Sequence, residues 1–369
     1  MYAVLFTDSG LSVAEISSLF AIWAVTGMVL EVPSGAWADA VSRRLLLAGA
    51  PLLKGAGFAL WVFAPSYWAF AAGFVLWGAQ GALQSGALEA LVYDDLEYRD
   101  AAGKYAKIMG RARSCGFVAV MLSTAAAGPV FALGGYPALG IASVLACVAG
   151  AAVGLRFTEH KRFTEHSEDG HDELGYFATL KAGLTEARES RSVRRLLLII
   201  PALTAIWGAL EEYDALLAID TGVAVETVPW LMLLLWAGVT TGGLLAPIGE
   251  RMPGKAFAGT VAAAALAMAA GALSGRPAGF VLLAAAYCAF QMATVVADAR
   301  LQETISGPSR ATVTSLAGLG TDLATVGVYG AYAAGSAFFA NSTIFALFAV
   351  PYAVIALWLR QTQDTAARP

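Results

Sequence analysis

The chain has 369 residues, of which 58% are hydrophobic and only 14% charged, and its formal net charge is −4. Soluble domains carry about a quarter charged residues, so this composition excludes an ordinary soluble protein and predicts a membrane protein. The acidic balance, without a cluster of basic and aromatic residues, argues against nucleic acid as a partner.

Apolar segments recur along the chain, and each is near the length of about 20 residues that a helix needs to cross a bilayer. The short helix at Met1–Phe6 counts as the first span. After it, the sequence predicts eleven complete spans, numbered second to twelfth: Ile16–Ala38, Leu45–Phe63, Tyr67–Val92, Ile108–Leu133, Ala138–Leu155, Leu196–Ile219, Val228–Ile248, Ala256–Leu273, Ala278–Ala297, Val313–Phe339 and Ile344–Leu359. Nearly all of the 23 basic residues fall in alternate connections between these spans. The positive-inside rule therefore places both ends of the intact protein in the cytoplasm.

The first half of the chain is repeated in the second half. The segment Leu5–Val13, LFTDSGLSV, matches Leu217–Val225, LAIDTGVAV, and in each half an acid is followed five residues later by a base, as in Glu250 and Lys255. Two matches in register indicate a duplicated module, as in transporters built from two parallel repeats. The predicted division is an N-terminal helix bundle at 1–155, a cytoplasmic linker at 156–195 and a C-terminal helix bundle at 196–369.

The repeat also makes a prediction about the first helix. The counterpart of Leu196–Ile219 would begin upstream of Met1, so we expect the helix at Met1–Phe6 to lack its cytoplasmic half.

The connection between the second and third spans reads GAWADAVSRR. Here Asp39 precedes the basic pair Arg43 and Arg44 across a tight turn, and such a charge cluster can hold one conformation closed. This stretch resembles the signature loop of the major facilitator superfamily, and with the span count and the linker the likeness covers the whole chain. It implies an all-α membrane protein of two six-helix bundles, working by alternating access, with Gly35, Asp39, Arg43 and Arg44 as a cytoplasmic gate. The alternative is that the two arginines only fix the topology.

Two further stretches resemble antiporter signatures. In the fourth span, Trp77-Gly78-Ala79-Gln80-Gly81 resembles the Arg-x-x-Gln-Gly pattern of proton-coupled members, with a tryptophan in the arginine position. In the fifth span, Gly128-Pro129 followed by Gly134-Gly135 resembles the Gly- and Pro-rich antiporter helix. These likenesses favour proton-coupled efflux, although close packing of helices explains the glycines equally well.

Polar side chains inside the spans are costly at membrane depth and usually face the protein interior. Spacing of i, i+4 or i, i+7 places several of them on single helix faces. The predicted cavity or coupling residues are Lys54, Gln80, Gln84, Glu89, Glu211, Asp214, Gln291, Asp298 and Asp322. For each, hydrogen bonding between helices without substrate contact is the alternative, and Glu211 with Asp214 could also form a water-exposed surface. For Lys54 we expect a structural ion pair with Glu31.

The spans contain no histidine, because all three histidines, His160, His166 and His171, lie in the linker. If protons drive transport, their site must then be a carboxylate from the set Glu89, Glu211, Asp214, Asp298 and Asp322. A nucleophile elbow, a metal-ligand cluster and a phosphate loop are all absent from the sequence, so we predict no cofactor, no metal and no enzyme.

The predicted function is secondary active transport of small molecules, in the form of proton-coupled efflux of amphipathic compounds by a monomer in the cytoplasmic membrane. The predicted partners are a small-molecule substrate, protons and the lipid bilayer. A facilitator or importer, and a non-transporting receptor of the same fold, stay open as alternatives.

Overall fold

A computed structural model describes residues 1–101, 104–158, 188, 190–305 and 310–366, with the side chains of 32–40, 85, 86, 89, 90, 106, 113, 191, 310–312 and 362–366 outside the description. All regular secondary structure in this part of the chain is helical, as predicted. The chain forms two compact units, Met1–Glu165 and His166–Pro369. Most of the predicted linker lies outside the described residues, and the bundle boundaries stay a prediction.

The first unit consists of α1 (Tyr2–Asp8), α2 (Val13–Ala40), α3 (Arg43–Phe63), α4 (Tyr67–Tyr98) and α5 (Tyr105–Gly154). Serine side chains cap the starts of α2, α3 and α4, where a side-chain oxygen satisfies a free amide of the first turn. Ser42 accepts from Leu45 N at the start of α3, and Ser66 accepts from Ala69 N at the start of α4. At the start of α2, Ser12 and Glu15 form a reciprocal capping box.

The helix α5 contains both the fifth and the sixth predicted spans. Its backbone is non-helical at Gly134 and Gly135, and Gly135 has a φ of 61°. This break lies in the predicted gap between Leu133 and Ala138, so two helical segments meet there as expected.

The second unit consists of α6 (Arg191–Leu210), a 3-10 turn (Glu211–Tyr213), α7 (Asp214–Asp220), a second 3-10 turn (Val225–Thr227), α8 (Val228–Arg251), α9 (Gly254–Leu273), α10 (Gly279–Thr304), α11 (Arg310–Ser336) and α12 (Asn341–Ala366). The predicted span Leu196–Ile219 lies within one helical stretch long and apolar enough to cross a membrane, Ser192–Asp220, and the first 3-10 turn lies inside this stretch. The tighter turn changes the rotation per residue. It lets Tyr213 stack on Tyr332, with ring centroids 3.6 Å apart, while Asp214 turns towards α10.

The packing of the two units repeats. In the first unit α4 packs against α2 and α3, and α3 packs against α5; in the second unit α10 packs against α8 and α9, and α9 packs against α12. These are corresponding helices under the repeat that the sequence predicts.

The two repeated aspartates also have matching surroundings. Each is followed after one residue by a glycine with positive φ, Gly10 at 89° and Gly222 at 81°, a backbone conformation that glycine adopts without strain. Asp8 accepts a hydrogen bond of 2.5 Å from Tyr136, and Asp220 accepts one of 2.8 Å from Asn341. Both partners stand at the start of the last helical segment of their unit, so the repeat extends to the contacts of its motif.

Length and composition make eight helical stretches of the described residues able to cross a membrane: Val13–Glu31, Arg43–Phe63, Lys107–Gly154, Ser192–Asp220, Val225–Arg251, Gly254–Leu273, Gly279–Thr304 and Asn341–Gln361. The stretch Lys107–Gly154 holds two predicted spans. The helices α4 and α11 contain two further predicted spans but are not among the eight, so the total of eleven stays a prediction.

Candidate functional site

Asp214 is the central residue of the candidate site in the second unit. It begins α7, directly after the 3-10 turn, and only 1% of its surface is exposed. The hydroxyl of Tyr287 on α10 donates a hydrogen bond of 2.9 Å to Asp214 Oδ1. No donor among the described residues reaches the buried Oδ2 atom. The alternative that this acid is ordinary water-exposed surface is therefore wrong.

A small cavity of about 20 Å³ borders this carboxylate. Its lining residues come from the first 3-10 turn, α7, α8 and α10: Glu211, Asp214, Met232, Leu235, Trp236, Val239 and Tyr287. Two of them are acids, two are aromatic, three are aliphatic and none is basic. About 10–15 Å³ is the least that holds one water molecule, so in this conformation the cavity has room for water and not for a substrate.

Trp207 lies beside the cavity on α6. Its ring centroid is 5.9 Å from that of Tyr287. The indole Nε1 is buried, and the described part of the chain offers it no acceptor. Both Trp207 and Asp214 therefore present an unsatisfied polar atom in the same region.

Close contact between α8 and α10 holds the aromatic walls of the cavity together. A Cβ atom at Gly238 would overlap the carbonyl oxygen of Ala284, and a Cβ at Gly242 would overlap that of Cys288. The two helices therefore meet backbone to backbone, as small residues allow in membrane proteins. Trp236 on α8 and Tyr287 on α10 face the same cavity as a result.

Tyr352 on α12 is a residue of this region that sequence reasoning missed. Its hydroxyl accepts a hydrogen bond of 3.0 Å from the amide of Trp207 and donates one of 2.9 Å to the carbonyl of Leu203. In a regular α-helix that amide would bond to that carbonyl directly. The ring stacks on Phe290 of α10, with centroids 3.7 Å apart. A lone tyrosine in an apolar span was the only signal in the sequence.

The remaining candidates of the second unit do not line this cavity. Gln291 and Asp322 are half-buried, and Asp298 is exposed. Of the polar residues on α10, the structure brings Tyr287 to the acid. The roles of the other residues stay predictions.

Lys54 lies inside the first unit, on α3. Its Nζ atom is 4.2 Å from the ring centroid of Trp77 and 5.6 Å from that of Phe58. Within the described residues it makes no ion pair, and Glu31 is exposed. The predicted pair with Glu31 is therefore wrong. The faces of the aromatic rings take the place of a carboxylate, because a desolvated cation–π contact contributes about 2 kcal/mol.

Gln80 and Gln84 lie on one face of α4, as predicted, and Gln80 Nε2 donates to Gln84 Oε1. This bond shows that the two amides satisfy each other within the helix. The side chain of Glu89, on the same helix, is outside the described residues, so its predicted role stays open.

The predicted gate is only partly within the description. Arg43 Nη1 lies 2.5 Å from Asp94 Oδ2 near the end of α4, and the Arg43 side chain is 12% exposed. Arg44 is exposed. Gly35 and Asp39 belong to α2, in a stretch whose side chains are not described. Asp94 was missed, although the acidic pair of which it is part, at the predicted inner end of the fourth span, was a usable signal.

These features define a multi-pass membrane protein with a transporter fold of two repeated helical units. The chain belongs to the Major Facilitator Superfamily, whose family model matches residues 1–328. No curated protein sequence matches it significantly.

Three solved structures show how far the fold is shared. A mutant form of the nucleoside transporter NupG has a TM-score of 0.74 at 14% identity, over 98% of this chain and 93% of that one. A bacterial homolog of the human lysosomal transporter Spinster, inward-facing and unoccupied, has a TM-score of 0.67 at 16% identity, over 97% and 90%. The POT family transporter PepTSo has a TM-score of 0.62 at 13% identity, over 95% and 90%. Identities this low establish the fold and leave the substrate open.

Proposed function

We propose that the chain is a secondary active transporter of the cytoplasmic membrane that exports amphipathic small molecules in exchange for protons, acting as a monomer. The observation that carries the proposal is the buried carboxylate of Asp214, which has one unsatisfied oxygen and borders a cavity. The structural neighbours include a nucleoside transporter and a POT family transporter. One fold thus serves different substrates, so the choice of substrate must come from side chains such as Asp214 and its neighbours.

The surroundings of Asp214 suit a group that gains and loses a proton. The charged side chains that act on it are Glu211 and Glu212, which carry the same sign. Tyr287 donates one hydrogen bond, and the lining residues include no base. An ionised carboxylate without a compensating charge is costly to bury, so a proton or a cation must neutralise Asp214 while it is enclosed. Release of that proton when the cavity opens would couple the flux of protons to the flux of substrate.

The pair of Arg43 and Asp94 supports the gate part of the proposal. It joins the turn after α2 to the end of α4, next to the stretch that carries Asp39. In our proposal, Asp39, Arg43 and Arg44 hold the cytoplasmic side of one state closed, and Asp94 fixes the direction of the Arg43 guanidinium.

The proton role is tested by transport in proteoliposomes. The full chain is reconstituted, a pH gradient is imposed, and the movement of a cationic, a neutral and an anionic amphipathic dye is followed. We expect Asp214→Asn to abolish the dependence on the pH gradient while leaving downhill exchange of dye in place.

Glu226→Gln is the matched control, because it removes one acidic charge from an exposed position in the same unit, outside the predicted set. It should keep the gradient dependence. Single neutralisation of Glu89, Glu211, Asp298 and Asp322 completes the set of predicted carboxylates. Gradient-driven transport by Asp214→Asn at the wild-type rate would refute the proton role of this residue.

A further inference from the structure

We infer that the start of α6 and the end of α12 form a binding site for an anionic phospholipid on the inner side of the membrane. The inference goes beyond the proposed transport function, because it concerns the outer surface of the second unit and holds whatever the substrate is. It starts from a cluster of arginines around the start of α6, in which Glu189 is the one acid: Arg188, Arg191, Arg194 and Arg195. Basic clusters directly beside the cytoplasmic end of a span bind the head groups of anionic lipids.

The charge of two of these arginines is not neutralised by the protein. Arg194 is exposed and Arg195 is half-buried, and neither forms an ion pair with another described residue. In the first unit, by contrast, Arg43 pairs with Asp94. The positive charge at the start of α6 is therefore available to an anion that comes from the membrane.

Two contacts hold the guanidinium groups in place without using up their donors. Arg194 Nη1 donates a hydrogen bond of 2.6 Å to the carbonyl of Arg188. The Cζ atom of Arg195 is 5.8 Å from the ring centroid of Trp358 on α12, a cation–π contact that occupies no N–H group. Both guanidinium groups thus keep free N–H donors, which in arginine match the geometry of a phosphate group.

The surface one turn deeper in the membrane suits an acyl chain. Leu198, on the same face of α6 as the two arginines, is 73% exposed, and Val354, one turn before Trp358 on α12, is 58% exposed. A ligand at this place meets basic groups at one end and apolar side chains behind them. This is the order of groups in a phospholipid, whereas a free phosphate ester has no part that would contact Leu198 and Val354.

The test is a lipid-binding measurement on the full chain, delipidated in a neutral detergent. Two probes are phosphatidylglycerol and phosphatidylcholine with identical acyl chains, which differ in the net charge of the head group. The third is glycerophosphoglycerol, which is the anionic head group without acyl chains. Native mass spectrometry at rising probe concentration gives the affinity for the first molecule bound. We expect phosphatidylglycerol to bind at least about tenfold more tightly than either other probe, which corresponds to about 1.4 kcal/mol.

Variants assign this preference to the site. The double variant Arg194→Gln with Arg195→Gln should abolish the preference and leave binding of phosphatidylcholine unchanged. The matched control, Lys107→Gln with Arg111→Gln, removes two positive charges from exposed positions at the start of α5 and should keep the preference. Trp358→Leu should weaken binding of phosphatidylglycerol severalfold, and it keeps the test possible if the double variant fails to give a monodisperse protein.

Equal affinity for the two lipids would overturn the inference, and so would a preference that persists both in the double variant and in Trp358→Leu. An equal loss of preference in the control at α5 would show that basic charge anywhere on this side is sufficient, which excludes a defined site. Binding of glycerophosphoglycerol as tight as that of phosphatidylglycerol would make a soluble phosphate ester the ligand and refute the lipid.

Discussion

The backbone contact between α8 and α10 allows a prediction whose size follows from the structure. In Gly242→Ala, the new methyl group would overlap the carbonyl oxygen of Cys288. A main-chain atom cannot rotate out of the way, so α8 must shift, and overpacking of this kind costs about 1–3 kcal/mol. The gain from replacing glycine by alanine in a helix, about 0.5–1 kcal/mol, offsets part of that cost.

The next residue provides a matched control. A Cβ at Gly243 would meet no atom within 4 Å, so Gly243→Ala keeps the gain of about 0.5–1 kcal/mol without the cost. The two variants should therefore differ by the overpacking term alone, with Gly242→Ala the less stable by about 1–3 kcal/mol.

Thermal unfolding of the purified full chain, followed by tryptophan fluorescence, measures this difference. At about 2 °C per kcal/mol for a large chain, the melting temperature of Gly242→Ala should lie about 2–6 °C below that of Gly243→Ala. If Gly242→Ala melts at or above the temperature of Gly243→Ala, α8 does not meet α10 at this position, and the placement of Trp236 beside Tyr287 fails with it.

Three other predictions concern the first unit. Asp39→Asn should cut dye transport strongly while insertion into the membrane stays normal, and wild-type flux in this variant would refute the gate. Asp94→Asn should lower stability by about 1–2 kcal/mol, between the values for exposed and buried ion pairs. Glu97→Gln, at an exposed position of the same helix, should cost less than about 0.5 kcal/mol; equal costs in thermal unfolding would contradict the assignment. Trp77→Leu should cost about 2 kcal/mol more when Lys54 is present than in a Lys54→Met background, where the cation–π contact is already absent; the double-mutant cycle measures this coupling, and purely additive effects would exclude it.

Features that depend on short stretches of sequence were predictable. The starts of α2, α3, α4 and α6 follow from serine caps, and the break in α5 follows from Gly134 and Gly135. The bond between Gln80 and Gln84 follows from the period of a single helix, since residues four apart share a face. Each of these signals is contained within a few neighbouring positions of the chain.

Contacts between distant helices were harder to predict. The helical period gives the face of α3 on which Lys54 lies. It does not give the depth and rotation of the neighbouring helix. The sequence therefore predicted Glu31 as the partner of Lys54, whereas the actual neighbour is Trp77. The same applies to Asp94 as the partner of Arg43. The residues Glu211–Tyr213 do not by themselves predict a 3-10 turn. The pairing of Asp214 with α10, a contact between distant parts of the chain, helps to fix this turn.

The hydroxyl of Tyr352 has a mechanical consequence for the acidic cavity. In an ordinary helix, the amide of Trp207 and the carbonyl of Leu203 are partners on the same chain segment and travel together. Here both are bonded to a side chain that belongs to α12. A displacement of α12 relative to α6 must therefore stretch the two hydrogen bonds that Tyr352 makes to the main chain of α6, and pull on the indole that packs against Tyr287. The last helix of the chain, which places no residue in the cavity, is in this way directly coupled to the position of the ring that holds Asp214.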